Sequence, residues 1–402
     1  MVAIPRYRPH AGPALFSAGF RPFFLMAALW AAVAIPLWLG ALSRGIVAAS
    51  GLPPVLWHVH EMVFGYAVAT VAGFLLTAIP NWTGRMPLQG WRLAALVLLW
   101  AAGRLAVLFS AKIGAPSAAI VDLAFLLTFL LVVAREILAG RNWRNLPMLA
   151  ALALLLLGSL LVHLDALGIA DTAELGNRVG LATLLMLIAL VGGRIIPSFT
   201  RNWLVKVLPE IQVPAPSDAV DAAALALTGL GLVAWVIGPG GLLAPWLELA
   251  AGVAVAVRLS RWRGLATLRE PMLFVLHVGY GWLACGLLLL ALSGFYAILP
   301  QTAALHALTV GAVGTMTLAV MTRASLGHTG RPLSAGPGTN AIYLLVTTAA
   351  LLRLMVPFAD AYSELLLSLA GIAWSGAFGL FALLYARPLS QPRVVGTAAR
   401  PI

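Results

Sequence analysis

The sequence predicts an all-α, polytopic membrane protein with about twelve transmembrane helices, and three observations lead to this fold class. First, 62% of the 402 residues are hydrophobic and 9% are charged, whereas a soluble domain has about 25% charged residues. Second, apolar windows of about 20 residues, long enough to cross a bilayer as a helix, recur along the whole chain. Third, the basic residues alternate between the connecting segments as they do in multi-pass proteins.

The predicted spans follow one another with short connections, which leaves no room for a separate extramembrane domain. The expected organisation is a tail at 1–19, a single membrane domain at 20–386 and a second tail at 387–402. The spans are predicted at 20–42, 55–79, 91–109, 117–138, 145–167, 176–196, 218–237, 242–260, 271–293, 302–321, 340–357 and 361–385.

The net charge of +12 would suit a nucleic-acid partner, but the distribution of the basic residues indicates membrane topology instead. With twelve spans, 20 of the 25 Lys and Arg residues fall on the side that carries both termini. By the positive-inside rule this side is cytoplasmic. The sequence therefore predicts a multi-pass membrane protein with both termini in the cytoplasm, and with the lipid bilayer and not nucleic acid as its partner. The opposite side keeps Arg44, Arg104, Lys112, Arg178 and Arg353.

Histidines supply the metal-capable groups of the spans. The second span opens with "WHVHEM", which carries His58, His60, Glu61 and Met62. Ionisable groups within spans are costly and indicate function. The single cysteine, Cys285, excludes a disulfide framework, a cysteine-based zinc or iron–sulfur site and covalent CxxCH haem attachment.

A repeat relates the second and tenth spans. His60 and His306 are each followed 23 residues later by "TGR", at 83–85 and 329–331. A degenerate third copy starts at Asn177 in the sixth span. This pattern predicts that spans 2, 6 and 10 are equivalent members of three four-helix units. The two histidines should then lie at matched depth near the outer face.

Two histidines at equal depth on parallel helices suit a b-type haem, whose iron takes two axial imidazoles. His306 is one expected ligand, and the residues leave open whether His58 or His60 is the other. His277 in the ninth span is a second candidate, either as a haem ligand or in a local hydrogen bond. Small residues would either make room for the porphyrin or serve helix packing: Gly65, Gly73, Gly311 and Gly314.

A copper site is the second expectation. Helical spacing places His58, Glu61 and Met62 on one face, and imidazole and thioether ligands suit copper. The alternative is that His58 and Glu61 cap the first turn. Arg104 and Asp122, in the outer halves of spans 3 and 4, are expected to form a structural ion pair.

Five blocks of the sequence, in order, resemble the NnrS family. They are "LFSAGFRPFF" at 15–24, "WHVHEMVFGYAVATVAGFLLTAIPNWTGR" at 57–85, "GGRIIPSFTRNW" at 192–203, "LHVGYGW" at 276–282 and "HALTVGAVGTMTLAVMTRASLGHTGRPL" at 306–333. The resemblance implies a haem- and copper-containing bacterial inner-membrane protein of the nitric oxide response and of nitrosative-stress tolerance. Nitric oxide or a species derived from it is then the expected small-molecule partner. The candidate functional residues that the resemblance carries over to this chain, block by block, are His58, His60, Glu61, Arg194, His277, His306, Arg323 and His328. His163 lies in none of them, which weakens its claim as a ligand.

A more distant resemblance links the chain to the catalytic subunit of haem-copper oxidases, which shares twelve spans and a threefold four-helix plan. Span 10 has one histidine here instead of two, and spans 6 and 7 have none. A standard copper centre for O₂ or NO reduction is therefore not expected, and enzymatic activity is left open. The alternative function is a secondary transporter with buried His and Glu, although a parallel repeat near one interface is not typical of transporters.

Overall fold

The computed structural model describes residues 11–44, 49–296 and 298–394, and within these ranges it contains helices and no strand. Each predicted span corresponds to one helix, so the all-α prediction is confirmed. The helices are α1 (Phe20–Arg44), α2 (Pro54–Thr83), α3 (Trp91–Leu108), α4 (Ala115–Ala139), α5 (Leu146–Ala166), α6 (Ala173–Val207), α7 (Ala219–Ile237), α8 (Ala244–Ser260), α9 (Pro271–Phe295), α10 (Gln301–His328), α11 (Pro337–Met355) and α12 (Ser363–Ser390). A short helix (Ser110–Ile113) and 3₁₀ turns (Ala14–Phe16, Trp143–Asn145, Gly264–Thr267, Val356–Phe358, Asp360–Tyr362) complete the described elements.

Eleven of the described helices are long and apolar enough to cross a membrane. The remaining predicted span is α8, whose 17 residues extend about 25 Å at 1.5 Å per residue. The chain is therefore a multi-pass membrane protein. The cytoplasmic placement of the termini stays a prediction, and residues 1–10 and 395–402 of the two predicted tails lie outside the described residues.

Helix starts follow from local chemistry. Proline occupies the first or second position of α2, α4, α5, α8, α9 and α11, where its missing N–H costs nothing. Asp218 instead caps α7 by accepting the backbone N–H groups of Val220 and Asp221 at 3.0 and 3.4 Å. The Arg261 guanidinium and these two amides hold the pKa of the Asp218 carboxyl well below its usual range.

Among the described residues, three helices contain a π-helical segment, and they are the three that the repeat relates. The segments are Glu61–Ala67 in α2, Ile188–Gly192 in α6 and Ala307–Gly314 in α10. In α2 and α10 the segment begins at the residue after the matched histidine, His60 or His306. In α6 the segment begins at Ile188, eleven residues after Asn177. The third copy of the repeat therefore contains a π segment, but at a different position relative to the start of the repeat. Such segments are rare and occur often at functional sites.

The "TGR" motifs also end α2 and α10 in the same way. Gly84 has φ +68° and forms the left-handed cap of α2. Gly330 has φ +74° just beyond the end of α10. Glycine adopts this conformation without the steric penalty that a Cβ brings. The equivalence of spans 2 and 10 thus extends to their backbone geometry.

The described residues form two compact units. The first comprises the described residues within 1–173, 321–333 and 378–402, and the second comprises those within 174–320 and 334–377. The core of the first contains the fully buried Phe23, Phe24, Phe125, Phe129 and Trp100. The core of the second contains Tyr280, Leu283, Leu287 and Leu308. The expectation of a single membrane domain stays a prediction.

Candidate metal centre

The first unit contains a set of polar side chains buried between α2, α3, α4 and α5. Every member is at most 3% exposed. In a bilayer such groups are satisfied by one another or by a ligand, since lipid offers no hydrogen bonds. We call this set the buried polar cluster, and it consists of His60, Glu61, Arg104, Asp122, Ser159 and His163.

Arg104 bridges two carboxylates within the cluster. Its Nη1 lies 2.8 and 2.9 Å from the two carboxylate oxygens of Glu61, and its Nη2 donates to Oδ1 of Asp122. The predicted Arg104–Asp122 pair is therefore confirmed, and Glu61 extends it. Two carboxylates against one guanidinium leave the cluster with one net negative charge when both histidines are neutral, which favours a cation.

Asp122 Oδ2 faces away from Arg104 and toward the two imidazoles. It lies 3.3 Å from Nε2 of His60 and 2.9 Å from Nε2 of His163. The Ser159 hydroxyl lies 3.2 Å from the same oxygen and 3.4 Å from Nε2 of His60. One atom each from His60, Asp122 and His163 falls within 4.8 Å of the others, an arrangement that can hold a metal ion.

The other ring nitrogen of His60 fixes its orientation. Nδ1 lies 3.1 Å from Oε1 of Glu61 and donates to it, because an ionised carboxylate only accepts. Nε2 of a neutral ring then presents a lone pair to Oδ2 of Asp122, which is also an acceptor. A proton or a metal ion must lie between them. A carboxylate that binds the distal nitrogen of a histidine is the usual second-shell partner of a metal-ligating imidazole.

Two glycines allow the helices to approach closely enough to build the cluster. A Cβ on Gly65, in the π segment of α2, would lie 2.7 Å from Nη1 of Arg104 and 2.9 Å from Oε2 of Glu61. A Cβ on Gly103 would lie 3.0 Å from Oδ1 of Asp122. The indole N–H of Trp100 donates to the Gly65 carbonyl at 3.0 Å and ties α3 to the π segment.

We expect the Gly65→Ala variant to lose about 1–3 kcal/mol of unfolding free energy, because the added methyl forces Arg104 and Glu61 apart. The measurement is unfolding in mixed micelles, followed by tryptophan fluorescence. Gly229→Ala in α7 is the matched control, since nothing lies within 4 Å of its Cβ position. The control should be neutral or more stable by up to about 1 kcal/mol, given the higher helix propensity of alanine. Equal effects of the two substitutions would contradict this packing.

A family model described as NnrS protein matches residues 14–393, nearly the whole chain. The chain belongs to the NnrS family. No curated protein matches it at a significant level. Membership identifies a membrane protein of the nitric oxide response, and the family together with the His–Asp–His arrangement supports metal or haem binding.

The structure separates the members of the "WHVHEM" block of this NnrS protein. His60 and Glu61 contact each other in the cluster, whereas the half-buried His58 stacks on Trp38 with ring centroids 4.2 Å apart. The copper site expected at His58, Glu61 and Met62 stays a prediction. The helix changes from α to π geometry at Glu61, directly after His60.

The remaining predicted ligands lie in the second unit. Nδ1 of His277 contacts the Leu273 carbonyl at 3.1 Å, and its Nε2 lies 3.3 Å from the Thr200 hydroxyl. This is the local hydrogen bonding that was the alternative for His277. Nδ1 of His306 donates to the carbonyl of Thr302 at 2.6 Å. The pairing of His306 with a span-2 histidine stays a prediction.

Arg194, the other predicted cofactor-binding residue, is exposed on α6.

The glycines that were considered as room for a porphyrin receive protein side chains instead. The Cβ position of Gly73 lies 2.6 Å from the ring of Phe24. Those of Gly311 and Gly314 lie 2.6 and 2.7 Å from Trp282 and Trp374. At Gly65, Arg104 and Glu61 occupy the space. These glycines serve helix packing, which was the alternative explanation.

Sequence reasoning undervalued His163 and missed Ser159. His163 lies outside the family blocks, yet its ring nitrogen makes the shorter of the two imidazole contacts with Asp122. A signal was present, because Ser159 and His163 are four residues apart and so share one face of α5. Two polar side chains on one face of an otherwise apolar span point toward a polar partner across the helix interface.

Proposed function

We propose that this NnrS protein acts in the nitric oxide response as a metal-binding membrane protein, with one transition-metal ion held by His60, Asp122 and His163. The observation that carries the proposal is that one ligand atom each from these three buried residues lies within 4.8 Å of the others. Glu61 orients His60, and Arg104 holds Glu61 and Oδ1 of Asp122. Oδ2 of Asp122 is thereby left for the metal.

The spacing of the donor atoms supports a small ion. Ligands bound about 2.0–2.1 Å from one metal ion lie roughly 2.8–3.4 Å from each other. The separations of 2.9 and 3.3 Å between Asp122 Oδ2 and the two imidazole nitrogens fall in this range. The Ser159 hydroxyl, 3.2 Å from the same oxygen, is the nearest additional oxygen donor.

Copper suits the two imidazoles of this site, although the sequence predicted copper at a different set of residues, His58, Glu61 and Met62. Iron also binds two histidines and one carboxylate, so metal analysis must cover both. Either metal would supply one-electron redox chemistry and a coordination position for nitric oxide. The residues of the cluster would hold the ion away from water and would fix the ligand orientation.

The test is the metal content of the purified protein, measured by inductively coupled plasma mass spectrometry. We expect about one ion per chain in the wild type and a loss of at least tenfold in Asp122→Asn and His163→Ala. His277→Ala serves as a control because His277 contacts Thr200 and Leu273. Unchanged metal content in both cluster variants would overturn the proposal.

Haem b is the second candidate ligand, and His306 is the residue that favours it. Donation from Nδ1 to the Thr302 carbonyl fixes the tautomer in which Nε2 carries the lone pair, the tautomer typical of a metal-bound histidine. His60 does not fit the same role, since both its nitrogens contact cluster atoms and its ring packs on Phe64 and His163, each with a centroid distance of 5.3 Å. We expect a Soret band that His306→Ala removes and His163→Ala retains. A colourless preparation from haem-replete cells would exclude this candidate.

A further inference from the structure

The first unit carries a second charged cluster at the ends of α1, α10 and α12. Arg21 is the second residue of α1, and His328 ends α10. Arg331 belongs to the "TGR" motif that follows α10, and Arg393 lies just beyond α12. We call these four residues the arginine cluster. By the positive-inside assignment this end of the unit faces the cytoplasm.

The chain segment after α12 holds these residues together. Nη1 of Arg21 donates to the carbonyls of Leu389 and Gln391 at 2.8 and 2.7 Å. Nη2 of Arg331 donates to the side-chain oxygen of Gln391 at 3.1 Å. The backbone N–H of Val394 donates to the carbonyl of Thr329 at 2.9 Å. Both guanidinium groups therefore contact the same residue, Gln391.

Phe20 and Gly330 bring the other two members of the arginine cluster to this place. The ring of Phe20 lies 5.4 Å from that of His328 and 5.4 Å from the guanidinium carbon of Arg21. The side chain of Arg393 reaches within 3.3 Å of the Cβ position of Gly330. His328 and Arg393 are exposed, so the arginine cluster is open at the surface.

The positive charge of the arginine cluster is not neutralised within the described part of the chain. No salt bridge there joins Arg21, Arg331 or Arg393 to a carboxylate, and the hydrogen-bond acceptors of Arg21 and Arg331 are neutral oxygens. Nη1 of Arg331 is buried without a hydrogen-bond partner in the described residues. A buried guanidinium N–H that lacks an acceptor is costly, and an anion would supply one.

The equivalent arginine of the other repeat is neutralised. Arg85, in the "TGR" motif after α2, donates to the carboxylate of Glu136. That hydrogen bond raises the pKa of the Arg85 guanidinium above its ordinary value. The same motif therefore carries a paired charge in one copy and an unpaired charge in the other.

We infer that the arginine cluster binds a phosphate group. Several guanidinium groups offer the charge-assisted hydrogen bonds that phosphate oxygens accept most strongly. Basic pockets between spans at the cytoplasmic face bind anionic lipid headgroups, so the phosphate belongs to an anionic phospholipid or to a soluble phosphate compound. This site is separate in its residues from the buried polar cluster.

The experiment measures lipid binding to the full-length protein by native mass spectrometry, with phosphatidylglycerol and phosphatidylcholine as probes. We expect the wild type to prefer phosphatidylglycerol and Arg331→Gln to weaken that preference about fivefold, the effect of one basic residue at an anionic surface. Arg393→Gln should also weaken the preference for phosphatidylglycerol. Because Arg393 is exposed, we expect this variant to fold as the wild type does. Arg85→Gln is the matched control and should retain the preference, because Glu136 already neutralises that arginine.

Competition by inorganic phosphate shows whether the bound phosphate group belongs to an anionic phospholipid or to a soluble phosphate compound. If millimolar phosphate leaves the preference for phosphatidylglycerol intact, the ligand is the lipid. If phosphate abolishes that preference in the wild type and has no effect in Arg331→Gln, the site takes a soluble phosphate compound. The inference is overturned if Arg331→Gln and Arg393→Gln both behave as Arg85→Gln does toward both probes.

Discussion

The Arg104→Gln variant should lose about 3–5 kcal/mol of unfolding free energy, the cost of leaving a buried charge without its partner. Arg104 is 2% exposed and is the only Lys or Arg that contacts Glu61 and Asp122 among the contacts of the described residues. Its removal leaves two carboxylates in a site that water does not reach. The measurement is unfolding of the purified protein in mixed micelles of detergent and sodium dodecyl sulfate.

The control for this prediction is Arg178→Gln. Arg178 forms a peripheral pair with Glu174 at 3.5 Å, and the Glu174 side chain is 91% exposed. Exposed pairs contribute less than about 1 kcal/mol, so this variant should unfold nearly as the wild type does.

A second expectation concerns Asp122→Asn in the Arg104→Gln background. It should restore part of the lost stability, because it removes one of the orphaned charges. A loss below about 1 kcal/mol in Arg104→Gln would contradict the ion-pair account.

The Arg258→Gln variant is expected to lose a similar amount, about 3–5 kcal/mol, in the second unit. Arg258 is 3% exposed, and its Nε lies 2.6 Å from a carboxylate oxygen of Asp221. Its Nη1 donates to the Ala189 carbonyl at 3.0 Å and to the Tyr280 hydroxyl at 2.9 Å. Ala189 belongs to the π segment of α6, so Arg258 stabilises that segment.

Arg258 also contacts a carbonyl of α6 that loses its helical hydrogen bond because of a proline. Pro197 has no N–H to donate to the carbonyl four residues earlier, which is that of Gly193. Nη2 of Arg258 lies 3.5 Å from this carbonyl, and a Cβ on Gly193 would collide with the guanidinium.

The Arg258 prediction is checked by the same unfolding measurement with two further variants. Arg258→Gln combined with Asp221→Asn should be more stable than Arg258→Gln alone, since the pair is then removed together. Arg261→Gln is the neighbouring control. Arg261 pairs with Asp218 at the surface, so its loss should change stability little. If Arg258→Gln and Arg261→Gln were equally stable, Arg258 would not be supporting α6.

The helices could be predicted from the sequence because a bilayer imposes one requirement on every span. About twenty apolar residues are needed, and each backbone polar group must bond within the helix. Runs such as 117–138 satisfy both conditions without reference to any neighbour. The corresponding helix Ala115–Ala139 extends the prediction by two residues at the start and one at the end.

The π segments could not be predicted from periodicity. The backbone hydrogen bonds of a π-helix span five residues, whereas those of an α-helix span four. No residue type in "EMVFGYA" requires the longer spacing. The segment begins at Glu61, directly after His60, and contains Gly65, whose missing side chain leaves room for Arg104 and Glu61. The repeat in the sequence did indicate which spans differ in backbone geometry from the others. Spans 2, 6 and 10 are the three that carry π segments in the described chain.

The buried polar cluster was predictable in pieces. His60 and Glu61 were candidates from their motif, and Arg104 and Asp122 were expected to pair. The joining of these two sets requires the approach of four helices, which depends on Gly65 and Gly103 having no side chain. His163 joins through α5, a helix that no motif marks. A single sequence does not reveal contacts of this kind between separate helices.

A guanidinium next to a π segment occurs in both units. Arg104 of α3 contacts Glu61 at the start of the segment in α2, and Arg258 of α8 contacts Ala189 within the segment in α6. Each arginine also binds an aspartate, Asp122 or Asp221. Within the described residues the first arrangement alone adds two histidines, which is why the metal site is proposed there.

The most direct test of this account is pulsed electron paramagnetic resonance of the copper-loaded protein, which counts the imidazoles that are coupled to Cu(II). We expect two coupled histidines in the wild type and one in His163→Ala, with His306→Ala unchanged. Two coupled histidines in His163→Ala, or loss of the copper signal in His306→Ala, would contradict the assignment of the metal to His60, Asp122 and His163.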